Sequence, residues 1–319
     1  MNDQLSQALI AEIQKFYPKS SIMVTALADI LRIERGAVYR RLRQEVPFTF
    51  NEIAIIAKNL NISLDTIVGV EGVKTVPFQL QLPDFVFPQE EDCSLFNNYI
   101  KFLRSIDPLE NSETASISNV LPHDLFGEFH SLFRFYLFVW NYHCRHDKPK
   151  PFHLISTSPE MSRFMNNYMM EMKNFTKTSF VFDNRMFRFF VDRVNYFHSI
   201  RLIEKEDVST IKEELFAMLD YLEKMAITGQ FQETGKAVNL YISDIDINTS
   251  YAYMEAKKIH LSMVKVFVLS YVTSLDENTF DQMKKWIHSV IKISTLITLT
   301  NERQRVLYFE KQRKMVNEL

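Results

Sequence analysis

The feature that most constrains this chain is a change of apolar period near residue 230. Over Val208, Ile211, Leu215, Leu219, Leu222 and Met225 apolar side chains recur at steps of three and four, which puts them on one stripe of an α-helix. From residue 237 the period falls to two. The segments "KAVNLYISDID", "NTSYAYMEA" and "IHLSMVKVFVLSYVTS" are rich in Val, Ile, Tyr and Thr and are separated by short polar turns. That pattern predicts a small antiparallel β-meander near 237–274. The stripe itself either faces a core, as most such stripes do, or pairs with a second copy of the chain.

Upstream of the change, helical spacing covers 91–106, 123–145, 159–174, 184–202 and 205–227. Downstream, "ENTFDQMKKWIHSVIKIS" and a charged segment from Asn301 read as two further helices. Six Gly and ten Pro in 319 residues suit long helices better than a many-turned sandwich. The expected fold class is therefore mainly α with a small β-meander. The length exceeds one average domain. Between 71 and 91 the composition shifts to "EGVKTVPFQLQLPDFVFPQEE", with three prolines and an extended alternation, which reads as a connector that packs its Phe residues. The expected domains are 1–70, a connector over 71–92, and a larger helical domain over 93–319.

The first 70 residues hold several short helices. Leu5, Ala8, Leu9, Ile13 and Phe16 share one face before Pro18, and Thr49-x-x-Glu52 is a capping box in which each side chain satisfies a free amide at a helix start. Ser63 then caps "LDTIVG". Between them lies "LADILRIERGAVYRRLRQE". Residues 32–43 carry five Arg and one Glu, so +5 − 1 = +4, in a chain whose formal charge is −2. With so little whole-molecule charge, any attraction to an acidic partner must be local. A solvated basic helix face is the bland alternative, since arginine is a good helix former.

The segment from Val24 to Arg43 resembles the helix-turn-helix of the lambda-repressor-like (Xre-type) DNA-binding family. Ala28 stands at the small position where two helices cross, Leu31, Ile33 and Val38 stand at buried positions, and "TFNEIAIIAKNLNISLDTIVG" resembles the fourth and fifth helices, with Ile53, Ile56, Ala57, Leu60, Ile62, Leu64 and Ile67 inward. The resemblance covers residues 5–70, a fifth of the chain. Arg32 replaces the family's turn glycine, so it must take a left-handed conformation or reshape the turn. Arg41 stands where an apolar residue is common, with Leu42 beside it to take that role. The resemblance implies a recognition helix from Glu34 to Arg43, with Arg35, Gly36, Tyr39 and Arg40 facing DNA, Arg43 near the groove's edge and Thr25 donating to a phosphate. Arginine suits such work because its planar fork meets guanine O6 and N7 with two hydrogen bonds.

Other chemistry is thinly signalled. His143, Cys144, His146, Asp147 and His153 are metal-ligand types in a short window, but positions i and i+3 on one helix supply at most two ligands, and no CxxC or HExxH accompanies them. No metal or cofactor is expected. The aromatic runs "FHSLFRFYLFVWNY" and "FDNRMFRFFVDRVNYFH" read as core, or as the wall of an apolar cavity. "ETGK" lacks the rest of a phosphate loop, no G-x-S-x-G elbow occurs, and Asp244 and Asp246 alternate along a presumed strand. Nothing in the sequence points to catalysis. Cys93 and Cys144, isolated from each other, suit a reducing cytosol, and no apolar run approaches the roughly 20 residues of a membrane span.

These readings converge on a cytoplasmic transcriptional regulator that binds double-stranded DNA, works as a homodimer and carries a C-terminal domain for sensing or assembly. A metabolite, a peptide or another protein all remain open as its effector. A scaffold whose N-terminal domain contacts protein is the alternative. A perturbed acid–base group in a C-terminal cleft would favour a third reading, an enzyme.

Overall fold

In the computed structural model the N-terminal segments form α1 (Asn2–Phe16), α2 (Ser20–Leu31), α3 (Arg35–Leu42) and α4 (Phe50–Leu60). The structure describes all residues except 1, 61, 63, 65–77, 107–110, 127, 128, 145–147 and 258, and the side chains of 2–5 and 15 also lie outside the description. The expected fifth helix, Leu64 apart, falls outside the described residues, as does the first part of the expected connector. The chain divides into two units, Met1–Pro77 and Phe78–Leu319.

The first unit encloses Leu9, Ile13, Val24, Leu27, Val38 and Ile56, with Ala28, Ile33, Leu42 and Ile53 packed around them. Phe16, placed inward by spacing, is the last residue of α1 and stays 52% exposed, while Ile10 is buried. The Thr49–Glu52 capping box forms: Thr49 N donates to Glu52 Oε2 at 2.8 Å and Glu52 N to Thr49 Oγ1 at 3.3 Å.

The second unit corrects the expected fold class. It runs β1 (Gln79–Leu80), α5 (Glu90–Arg104), β2 (Glu113–Ser118), α6 (His130–Cys144), α7 (Pro159–Met172), β3 (Lys177–Phe182), α8 (Met186–Ser199), α9 (Lys205–Thr228), β4 (Ala237–Ile242), β5 (Tyr251–Ala256), β6 (Ile259–Val266), β7 (Ser270–Ser274), α10 (Glu277–Ile293), β8 (Thr295–Leu296) and α11 (Glu302–Val316). Its strands form one eight-stranded mixed sheet in the order β1-β7-β6-β5-β2-β3-β4-β8. The chain is thus not mainly α with a small meander. The antiparallel meander is real over β5, β6 and β7, but β4 belongs elsewhere, pairing parallel with β3, which pairs parallel with β2. Parallel neighbours need a long crossover, and the helix pairs α6–α7 and α8–α9 supply it.

Two strands, "ETASIS" and "KTSFVF", escaped the sequence reading. Residues 78–92, assigned to the connector, belong to the second unit: Gln79 and Leu80 pair with β7, and Val86 is buried in its core. The sheet is covered on both faces. On one, Phe180 and Phe182 of β3 and Val238 and Leu240 of β4 meet α6, α8, α9 and α11, while α5 and α7 lie over Met254, Leu261 and Met263. On the other, α10 presses Phe280, Ile287 and Val290 onto Ala115, Ile117, Val181 and Tyr253. The stripe on α9 is core: Ile211, Leu215, Leu219, Leu222 and Met225 are all 0% exposed. Its dimer reading falls with that.

Candidate functional site

In the first unit, α2 and α3 are joined by Arg32, Ile33 and Glu34. Arg32 takes the left-handed conformation (φ 54°, ψ 44°), and Ile33 N closes the turn on Ala28 O at 3.2 Å. An arginine there accepts strain that a glycine would avoid. Along α3, Arg35, Gly36, Tyr39, Arg40 and Arg43 are all exposed, whereas Val38 is fully buried. Positions 35, 39 and 43 follow each other at steps of four, as do 36 and 40, so the five residues form one contiguous ridge. Thr25, half-buried on α2, donates to Ser21 O at 3.0 Å and accepts a hydrogen bond from Arg35. Arg40 and Arg43 each come within 3.9 Å of the exposed Glu45. All the sequence-predicted site residues therefore share one side of the unit.

Arg41 is set apart from them. Its guanidinium grips Glu52 of α4 with two contacts, Nε donating to Oε2 at 3.0 Å and Nη2 lying 2.7 Å from Oε1, and Nη1 donates to Ala37 O at 3.2 Å. Burial pushes the Glu52 carboxyl up, but the hydrogen bonds from Arg41 and Thr49 outweigh it and hold the group below its usual value. Arg41 is neutralised against a neighbouring helix, with Leu42 half-buried beside it.

The second unit contains a site that sequence reasoning missed. The β2 side chains on the α5 and α7 side, near the middle of the sheet, are Thr114, Ser116 and Ser118, where an ordinary core strand would carry Val, Ile or Leu on both faces. Their small volume leaves a cavity of about 190 Å³ beneath α5 and α7. Two of its lining residues bury their hydroxyls beside it: Ser116 Oγ and Thr178 Oγ1 are without a hydrogen-bond partner among the described residues. Buried hydroxyls left so are costly and uncommon in cores.

Its wall is ionisable. Asp124 follows β2 on a short 3₁₀ turn (His123–Leu125) and lines the cavity; burial pushes its carboxyl up to about 6, against its own backbone amide, Lys173 and Lys265. Next to it, His123 Nε2 accepts from Lys265 Nζ at 2.9 Å. Burial and Lys265 hold the imidazole well below its ordinary value, so it stays neutral. Burial and Arg193 bring the Lys265 ammonium down to about 7, with Asp124 opposing. Tyr99, Tyr168 and Tyr271 also line the space, their hydroxyls held protonated by burial and by the Asp124 charge.

The metal-ligand window does not assemble among the described residues. His143 and Cys144 are exposed at the end of α6, His146 and Asp147 lie outside the described residues, and His153 Nδ1 stands 3.7 Å from Glu204. Among the described residues no three His, Cys, Asp or Glu side chains group as metal ligands, and no helix is long and apolar enough to cross a membrane. Asp246 pairs with Arg185 at 2.8 Å. No family model, curated protein or solved structure matches the chain.

Proposed function

We propose that the chain is a DNA-binding transcriptional regulator, with α3 as its recognition helix and the second unit as a ligand-sensing body. One observation carries the reading: α3 is divided by function, the ridge Arg35, Gly36, Tyr39, Arg40 and Arg43 facing solvent while Val38 faces the core and Arg41 is spent on Glu52. A solvated basic face has no need of an ordered division in which one arginine is neutralised internally and three stay outside. Arg40 is the residue to meet a guanine edge, Arg43 contacts a phosphate, Thr25 reaches one only by turning its hydroxyl away from Ser21 O, and Gly36 lets the backbone come close. A single such ridge reads few bases, so two copies acting on two half-sites, as a homodimer in the cytoplasm, complete the proposal.

The perturbed His123, Asp124 and Lys265 favour a second reading, catalysis in the second unit. Binding accounts for them better. Lys265 stands behind His123 and outside the cavity wall, and its proton occupies the Nε2 lone pair that a general base would offer.

The test is selection of bound fragments from a random duplex pool by the purified full chain, with a salt titration of the selected sequence. A consensus with two half-sites, and affinity falling steeply with salt through counterion release, is the expected result. Salt-insensitive binding, or no sequence preference, would leave the protein-scaffold reading in its place.

A further inference from the structure

We infer that the cavity between the sheet and helices α5 and α7 is a binding site for a small organic cation, a protonated amine carried on a compact aromatic or apolar body. The inference deepens the sensing role given to the second unit, and it holds or fails whether or not α3 contacts DNA.

Size sets the first bound. A cavity of about 150 Å³ lined by apolar groups takes up benzene, and this one measures about 190 Å³. That is room for an aromatic ring with a short tail. Wall chemistry sets the second. Around Asp124 stand the rings of Tyr99, Tyr168 and Tyr271, and Phe96 stacks on Phe164 at 4.6 Å, which in turn stacks on Tyr168 at 5.9 Å. Ring faces carry negative potential and attract cations, most strongly where water is excluded. Among the described residues no side-chain donor hydrogen-bonds the Asp124 carboxylate, so its acceptor capacity is turned to the cavity.

Charge of the opposite sign is nearby but withheld. Lys265 is not part of the cavity wall, and its Nζ is directed at His123. Lys173 is tied to Glu233 at 2.8 Å. At neutral pH the space thus presents one carboxylate, neutral imidazole and hydroxyls, and aromatic faces. Among the described residues an anion finds no Lys or Arg on the wall.

Calorimetry on the full chain tests this with three probes of nearly equal shape: 2-phenylethylamine, 2-phenylethanol and 3-phenylpropanoate. At pH 7.5 the amine should bind at least about tenfold more tightly than either of the others, a difference of about 1.4 kcal/mol. Asp124→Asn should remove that preference and leave 2-phenylethanol binding unchanged. On the wild-type chain, moving to pH 5 should weaken the amine roughly tenfold or more as Asp124 takes up a proton. The other groups facing Asp124 act the same way or not at all: Lys265 gains charge over that range and adds repulsion, Lys173 stays paired, His123 stays neutral and the three tyrosines stay protonated. The pH series keeps the test alive if Asp124→Asn does not fold. Tightest binding of 3-phenylpropanoate, an Asp124→Asn chain that keeps the amine preference, amine affinity indifferent to pH, or no binding of any probe would each overturn the inference.

Discussion

Arg41 and Glu52 offer the sharpest test of how the basic helix is built. In Arg41→Ala the Glu52 carboxylate, 14% exposed, loses two charge-assisted contacts at 3.0 and 2.7 Å, and Ala37 O loses a donor. Hydrogen bonds to charged groups contribute about 1.5–3 kcal/mol, and one geometry holds both here. We expect a loss of about 2–3 kcal/mol from the first unit. For a unit of 77 residues that is roughly 10 °C or more in melting temperature. Glu52→Ala also removes the cap on Thr49, so single variants overstate the pair. The double-mutant cycle of Arg41→Ala with Glu52→Ala isolates it, read by urea titration with hydrogen exchange on α3 and α4 of the full chain. The pH dependence has a defined sign. The folded-state pKa of Glu52 is depressed, so the coupling should be whole above about pH 5, and it should fade as pH drops through the folded value, below 4.5. A coupling under about 0.5 kcal/mol, the range of exposed surface pairs, or one that persists at pH 2, would refute the division of labour between Arg41 and its neighbours.

Arg40→Ala should leave stability within about 0.5 kcal/mol yet lower discrimination at one or two base positions by about 1–3 kcal/mol; binding to a panel of single-base variants measures it, and unchanged specificity would refute the register given to α3. Ala28→Leu adds volume where α2 packs against the first core, which should cost roughly 1–3 kcal/mol of that unit's stability and leave the second unit's melting untouched, as differential calorimetry would resolve. Leu219→Ala truncates a fully buried side chain on α9 and should cost about 2–5 kcal/mol; light scattering should show the same assembly state as the wild type, and a change would return the α9 stripe to an interface role.

How far the sequence could be read depended on the range of the interaction. Helices α5 to α9 were legible because period 3.6 is a local signal, and the expected starts and ends fall within a few residues except on α6, where His123–Leu125 turns off as a separate 3₁₀ segment before the helix begins at His130. The capping box at Thr49 was legible for the same reason. The strands β2 and β3 were not. In "ETASIS" both faces are covered, but the set on the α5 and α7 side is Thr114, Ser116 and Ser118, so small hydroxyls alternate with Ala115 and Ile117 and the segment lacks the continuous apolar run of a buried strand. The usable hint was the order of elements, since short β-branched runs alternating with helices signal parallel strands.

The cavity was hidden by the same fact, because a hydroxyl strand is read as exposed until its neighbours are known. Its chemistry is also scattered: His123 and Lys265 meet across 142 residues, and Asp124, Tyr99 and Tyr271 come from a turn, a helix and an edge-side strand. The sequence by itself determined where most of the helices run and that residues 32–43 carry a local charge of +4, because helical spacing and a count of charges need no partner. Only the tertiary structure decided that Arg41 is neutralised by Glu52, that β4 joins β3 rather than the meander, and that the α9 stripe is core. Each of those depends on which distant surface arrives opposite a residue, and burial, pairing and the pKa of a carboxylate are properties of both sides of a contact.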